Sequence, residues 1–130
     1  MAQQIAIYGG GGFAREVAWL VESCNVDTVL YKVVCFIDDN VAEQGRLLNE
    51  IPIMSLETAR QRFPMASVVG GVGSPKTREL LMQKAAAAGC DFATIIHPRV
   101  ERSRWVEVGK GTVICAGYIL TTNIVLGQHV

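Results

Sequence analysis

The chain has no excess of either charge, with twelve Lys and Arg set against twelve Asp and Glu for a formal net charge of zero. A protein that holds nucleic acid by neutralising phosphates carries a basic surplus, so that partner class is disfavoured. Lys and Arg are scattered, and no run of them reads as a polybasic membrane patch. Long hydrophobic runs are absent too. The longest apolar stretch, Val113 to Leu120, is far too short to cross a bilayer. The N-terminus, Met-Ala-Gln-Gln, lacks the basic region of a signal peptide. Four cysteines (Cys24, Cys35, Cys90 and Cys115) show no C-x-x-C pairing and sit among or beside apolar neighbours. They read as reduced, buried thiols of a cytoplasmic protein rather than a disulfide framework. No Ser-His-Asp set, Cys-His pair or metal-ligand cluster is visible, so no metal is expected.

Half of the 130 residues are hydrophobic and 18% are charged, which suits a packed core and argues against disorder. Ile5-Ala6-Ile7-Tyr8 is a compact apolar run ended by four glycines, after which Ala14, Val17, Ala18 and Val21 trace a helical stripe. Val33 to Ile37 reads as a second buried strand, stopped by Asp38-Asp39-Asn40. Val41 to Glu50 looks like a polar excursion, and Ile51-Pro52-Ile53 like a short edge strand, because Pro cannot donate to a ladder. Ser55 is placed to cap a helix reaching about Arg62. Ser67 to Val72 supplies a third strand. Ser74 then caps a helix with Pro75 at its first position and Gly89 at its close. Phe92 to Ile96 reads as a fourth strand. Continuous apolar strands separated by helices predict a parallel sheet covered on both faces, a Rossmann-like half too short for a complete six-stranded one.

After His97-Pro98 the rhythm changes. Val108, Ile114, Leu120 and Leu126 lie six apart, and Thr112, Tyr118, Ile124 and Val130 form a second register of six. Val108-Gly109 returns as Leu126-Gly127. Six matches neither a helix nor a simple hairpin, but it is the period of a triangular parallel β-helix. Arg102 breaks the pattern and predicts an irregular or capping first turn. The fold expected is therefore α/β: a small Rossmann-like parallel-sheet domain over residues 1–97, then the first coils of a left-handed parallel β-helix over 98–130.

The chemistry-bearing candidates follow the strands. Gly9-Gly10-Gly11-Gly12-Phe13-Ala14 lies between a strand and a helix, where glycine amides and the positive helix end can cradle a phosphate. The same residues also suit a tight turn with no ligand. Asp38 and Asp39 end the second strand, where a carboxylate can hydrogen-bond ribose hydroxyls or simply cap a turn. Gly70-Gly71-Val72-Gly73-Ser74 repeats the glycine device, and Lys76 and Arg78 in the following helical turn read as a solvated face or as anion contacts. His97 reads as a packing or hinge residue, His129 as a surface residue at a coil corner, and Cys115 as filler.

Taken in order, IAIYGGGGFAREV, CFIDD, GGVGSPKTR, IIHP and ILTTNIVLGQHV resemble the sialic-acid O-acetyltransferase and PglD-like sugar acetyltransferases, a family of hexapeptide-repeat acyltransferases. The resemblance implies a nucleotide-activated sugar bound by the sheet domain, and a trimeric β-helix using acetyl-CoA as co-substrate. It places Gly10, Gly11, Gly12, Phe13, Ala14, Asp38, Asp39, Gly73 and Ser74 at the substrate. Phe13 stands where family members often have His, so a side-chain hydrogen bond is lost. The family's general-base His has no counterpart in this sequence and is expected beyond Val130, so the chain is read as the N-terminal part of such an enzyme, inactive alone. His129 does not match that role. Two rival readings stay open: a small NAD(P)-binding protein and a non-catalytic sugar-nucleotide sensor.

Overall fold

The computed structural model describes residues 2–130. Its first part is β1 (Gln3–Tyr8), α1 (Gly12–Ser23), β2 (Tyr31–Ile37), β3 (Leu47–Leu48), β4 (Ile51–Met54), α2 (Leu56–Arg62), β5 (Ser67–Gly70), α3 (Pro75–Ala87) and β6 (Asp91–Phe92). These strands form one six-stranded sheet in the order β3-β4-β2-β1-β5-β6. Every neighbouring pair is parallel except β3 with β4. The sheet expected to fall short of six strands thus reaches six, the unexpected one being the two-residue β3 at one edge.

Alternation explains the two-sided cover. In β1, Ile5 and Ile7 point to one face and Ala6 and Tyr8 to the other, and all four are buried. Ile5 and Ile7 meet Ala14, Val17 and Val21 of α1, with Phe36, Val69 and Ile95. Ala6 and Tyr8 meet Ala59 of α2 and Met82 and Ala85 of α3. Each face of a strand so buried must be apolar, which is why β1, β2 and β5 read as unbroken hydrophobic runs.

Two local expectations change. Residues 41–50 do not remain an excursion. Leu47 and Leu48 pair with Pro52 and Ile51, so β4 lies inside the edge and β3 is the edge strand. The connecting residues Asn49 and Glu50 both take positive φ (50° and 66°), the backbone of a type I′ hairpin turn. The run from Phe92 to Ile96 is also divided. Ala93 still donates to Val68, but Ile95 donates to Thr112, so the chain leaves the sheet between them.

The remaining strands are β7 (Ile95–Ile96), β8 (Glu101–Arg102), β9 (Glu107–Val108), β10 (Val113–Ile114), β11 (Ile119–Leu120) and β12 (Val125–Leu126). They pair in parallel as β7 with β10, β8 with β11 and β9 with β12. Each partner lies eighteen residues on: 95 with 113, 101 with 119, 107 with 125. Positive φ recurs at Gly111, Gly117, Asn123 and His129, one corner per six residues. These short parallel strands form the start of a β-helix. Ile114 is buried and Val108, Leu120 and Leu126 are half-buried, as an inward register requires. The second register is less uniform: Thr112 is buried, Ile124 half-buried, and Tyr118 and Val130 exposed. Thr112 Oγ1 explains its own burial by donating to Gly127 O at 2.9 Å and accepting from Val130 N at 3.3 Å. Arg102 is exposed, yet β8 keeps its register with β11, so the anomaly is in the side chain and not the backbone.

Candidate functional site

The chain leaves β1 towards β2 on one side and returns to its other side at β5, so the strand order reverses beside β1. In open α/β sheets the crevice outside the carboxyl ends at such a reversal is where ligands sit. Three loops converge there. Backbone bonds extend the ladder into all of them: Gly9 N to Ile37 O at 2.7 Å, Gly71 N to Tyr8 O at 2.9 Å, and Asp38 N to Met54 O at 3.1 Å.

Close approach explains the glycines. Gly9 has φ of +140°, and a Cβ there would stand 2.8 Å from Gly71 O. A Cβ on Gly71 would stand 2.5 Å from Ile7 Cγ2 and 3.2 Å from Ala14 Cα. The two loops therefore pack backbone to backbone, and Ala14 lends the crevice only its main chain, its side chain being fully buried. Around Gly11 and Gly73, by contrast, nothing lies within 4 Å of a Cβ position. Open space beside the loop is what a ligand needs. Gly11 is the N-cap of α1 and offers no side-chain cap, and the first turn holds no acid. The leading amides of this helix, with its positive dipole end, face outward without a side-chain partner. Phe13 is exposed beside them.

The two aspartates separate. Asp38 Oδ1 accepts from Asn40 N at 2.9 Å, and its Oδ2 lies 2.8 Å from where a Gly10 Cβ would be, against the glycine loop. Asp39 turns away. Its Oδ2 accepts from Tyr8 Oη at 2.8 Å and pairs with Lys84 Nζ of α3 at 2.7 Å. Burial works against its charge, but the Lys84 and Tyr8 hydrogen bonds outweigh this and hold the carboxyl below its ordinary value. Burial also pushes the Tyr8 hydroxyl well above its usual range, with Asp39 adding to the shift. Asp39 therefore fastens α3 to the sheet, while Asp38 faces the crevice.

Ser74 is likewise committed, accepting from Thr77 N at 3.4 Å as the N-cap of α3, and Gly73 is exposed. Lys76 is exposed. Arg78 does not stand free for an anion, since it is bonded to Val72 O and His129 O. Arg15, not singled out from the sequence, is exposed, with Nη2 3.9 Å from the Gly12 Cβ position at the start of α1. The signal was present as a cation three residues after Gly12, in a helical turn whose dipole it opposes.

His97 is buried, and its Nδ1 accepts from Arg99 N at 3.0 Å, holding the turn into the coil. His129 is not a surface residue. Its ring meets Phe92 edge-on at 4.6 Å between centroids and lies against Gly111, with Nδ1 buried and unbonded. Burial lowers its pKa below the ordinary 6.5, and Lys110 and Arg78 lower it further. Because the folded pKa is depressed, the associated stability is complete above pH 6.5 and is lost as pH falls through the folded value. The urea midpoint of the wild-type chain is therefore expected to drop between pH 7 and pH 5. His129→Asn, which suits the positive φ, should flatten that drop; equal slopes in both proteins would exclude the effect. Of the cysteines, Cys35 is pushed up to about 12 by burial, whereas Cys115 is exposed rather than filling the core. Among the described residues no group of three or more His, Cys, Asp or Glu is arranged to hold a metal. No described helix is long and apolar enough to cross a membrane.

The PglD N-terminal domain sequence model matches residues 4–85, which include both glycine loops and the aspartates. The chain belongs to this family. No curated protein matches it. WeeI from Acinetobacter baumannii AYE is similar at 26% identity and a TM-score of 0.78, over 98% of this chain and 59% of WeeI. The acetyltransferase domain of PglB from Neisseria gonorrhoeae FA1090, in complex with acetyl coenzyme A, is 24% identical with a TM-score of 0.80, over 99% and 60%. A mutant perosamine N-acetyltransferase from Caulobacter crescentus, in complex with CoA and GDP-perosamine, is 22% identical with a TM-score of 0.81, over 99% and 59%. The last two establish a shared fold. The chain spans about 60% of the length of these structures.

Proposed function

We propose that this chain is the substrate-gripping portion of an acetyl-CoA-dependent sugar N- or O-acetyltransferase acting on a nucleotide-activated amino sugar or a sialic acid. The division of labour is residues 1–97 for the nucleotide-sugar and 98–130 for the opening coils of a left-handed hexapeptide-repeat β-helix, whose first rung draws in Ile95 and Ile96. The observation that carries this reading is the crevice beside β1: an uncapped helix N-terminus, open space at Gly11 and Gly73, and Asp38 against the loop. Amides of Gly10, Gly11, Gly12, Phe13 and Ala14 suit the phosphates. Asp38 suits a ribose, base or sugar hydroxyl, because a carboxylate would repel phosphate. Asp39 and Ser74 belong to the supporting frame. The GDP-perosamine and CoA bound to the Caulobacter relative support the same pairing of ligands.

In the reaction so assigned, the acceptor amine or hydroxyl attacks the thioester carbon of acetyl-CoA. A general base removes the acceptor's proton, and the CoA thiolate leaves. No residue of this chain matches the family's general base, and His129 is engaged in packing. A homotrimeric, cytoplasmic enzyme accompanies this reading. Calorimetry is expected to register one site for a UDP-amino sugar and little heat for NADH, while a thiol-release assay with acetyl-CoA shows no turnover by the chain alone. Tight NADH binding would support a dinucleotide protein instead, and thiol release would assign catalysis to residues present here.

A further inference from the structure

Arg78 makes two hydrogen bonds that leave its guanidinium in different directions. Nη1 donates to Val72 O at 3.2 Å, within the second glycine loop. Nε donates to His129 O at 2.8 Å, in the coil. The stem lies flat over the end of β5, with Cγ and Cδ 3.2 Å from the position a Gly70 Cβ would take, so a side chain at residue 70 would lift it. No carboxylate pairs with Arg78 among the described residues. The half-buried side chain is therefore no salt-bridge partner, and two of its donors are committed to backbone carbonyls. It is a strut between the crevice and the coil.

The coil end of this strut is itself fixed. His129 N donates to Lys110 O at 2.9 Å, and the His129 ring rests edge-on against Phe92 of β6. Gly111 leaves room for that ring, since a Cβ there would overlap the His129 imidazole. Arg78 thus links Val72 to a coil corner that is held on its other sides by Lys110 and Phe92. Only a guanidinium holds both carbonyls at once in a planar fork; an ammonium is a point donor on a flexible stem.

We propose that Arg78 is a positioning residue coupling occupancy of the crevice to the order of the coil around His129. This rests on the crevice being the nucleotide-sugar site. Chemically the coupling has a clear use. An acceptor sugar held at the sheet edge reacts only when its nucleophile is set against the coil that presents the acyl donor, and small misplacements cost heavily in rate. Ligand closing the loop around Gly71–Gly73 would tighten Val72 O on Nη1, and so draw His129 and the rungs beneath it into register.

Backbone hydrogen exchange with and without uridine diphosphate tests this on the full 130-residue chain. In the wild type, the nucleotide is expected to slow exchange both at 71–74 and in the coil at 109–113 and 128–130. In Arg78→Lys, nucleotide affinity should stay within roughly threefold, which is under about 1 kcal/mol. Nucleotide-dependent protection at 71–74 should persist in this variant, and the nucleotide-dependent increment in the coil should vanish, while coil exchange without nucleotide changes little. Arg78→Gln serves as a second variant, with the same expected pattern, should the lysine chain fold poorly. A merely structural role would lower coil protection equally with and without nucleotide. Nucleotide-dependent coil protection surviving in both variants, or none in a wild type that binds the nucleotide, overturns the coupling. Failure of the wild type to bind any nucleoside diphosphate overturns the site reading, and the ligand-responsive strut with it.

Discussion

Gly109→Ala is expected to open the first coil, whereas Gly127→Ala, at the facing position of the next, leaves it nearly intact. The two glycines occupy equivalent places eighteen residues apart, and the sequence echo Val108-Gly109 and Leu126-Gly127 treats them alike. Geometry does not. A Cβ on Gly109 would run into the carbonyl of Gly127 and the amide of Gln128, which are backbone and cannot swing aside. A Cβ on Gly127 meets only Val130 Cγ2, at 3.9 Å. Neither glycine has positive φ, so the contrast is steric. The collision would separate the ladder bonds Glu107 N to Ile124 O and Gly109 N to Leu126 O, both 2.8 Å. Forced overpacking costs about 1–3 kcal/mol and more where backbone must move. Urea unfolding followed by exchange at Val125 and Leu126 should show that loss for Gly109→Ala and under about 0.5 kcal/mol for Gly127→Ala. Similar values for the two variants would mean that the coils are not stacked in this register.

Gly11→Asp is expected to raise stability and abolish most nucleotide binding. Gly11 has φ −92° and ψ −166°, the extended backbone of an N-cap, and its Cβ position is open. An aspartate there would accept from the first amides of α1 and satisfy the dipole, which adds a few tenths of a kcal/mol over glycine. The same carboxylate would stand where a diphosphate needs those amides. Two like charges at about 4 Å repel by roughly 4 kcal/mol at an effective dielectric of about 20. Even heavily screened, that predicts at least a tenfold weaker dissociation constant, about 1.4 kcal/mol. A structural turn with no ligand would show only the stabilisation. Opposite signs in melting and binding therefore separate a phosphate cradle from a mere strand-to-helix bend.

Much of the scaffold could be read from residue order because it rests on local rules. Ile5 to Tyr8, Val33 to Ile37 and Ser67 to Gly70 are apolar on both faces, and that alone signals central parallel strands. Ser55 and Ser74 stand at their predicted caps. The six-residue rhythm became the spacing of strands and corners. What escaped was set by partners distant in the chain. Asn49-Glu50 makes a hairpin turn without the Asn-Gly that advertises one, so Leu47–Leu48 went unseen. The split of Phe92 to Ile96 depends on Thr112, seventeen residues beyond Ile95, capturing the Ile95 amide. Asp38 and Asp39 are indistinguishable as a pair of turn acids. Only the fold brings Tyr8 and Lys84 to one and the glycine loop to the other. His129 looked like a corner side chain directed at solvent because Phe92 and Arg78 are 37 and 51 residues away in sequence.

Chemical-shift mapping on the isotopically labelled 14.1 kDa chain, titrated with a UDP-amino sugar, addresses the crevice itself. Saturable shifts should fall on the amides of Gly10 to Ala14, on Asp38 and on Gly71 to Gly73, and Gly11→Asp should erase them. Shifts confined to other surfaces, or a response to NADH with none to the nucleotide-sugar, would contradict the assignment of this sheet edge to a sugar nucleotide.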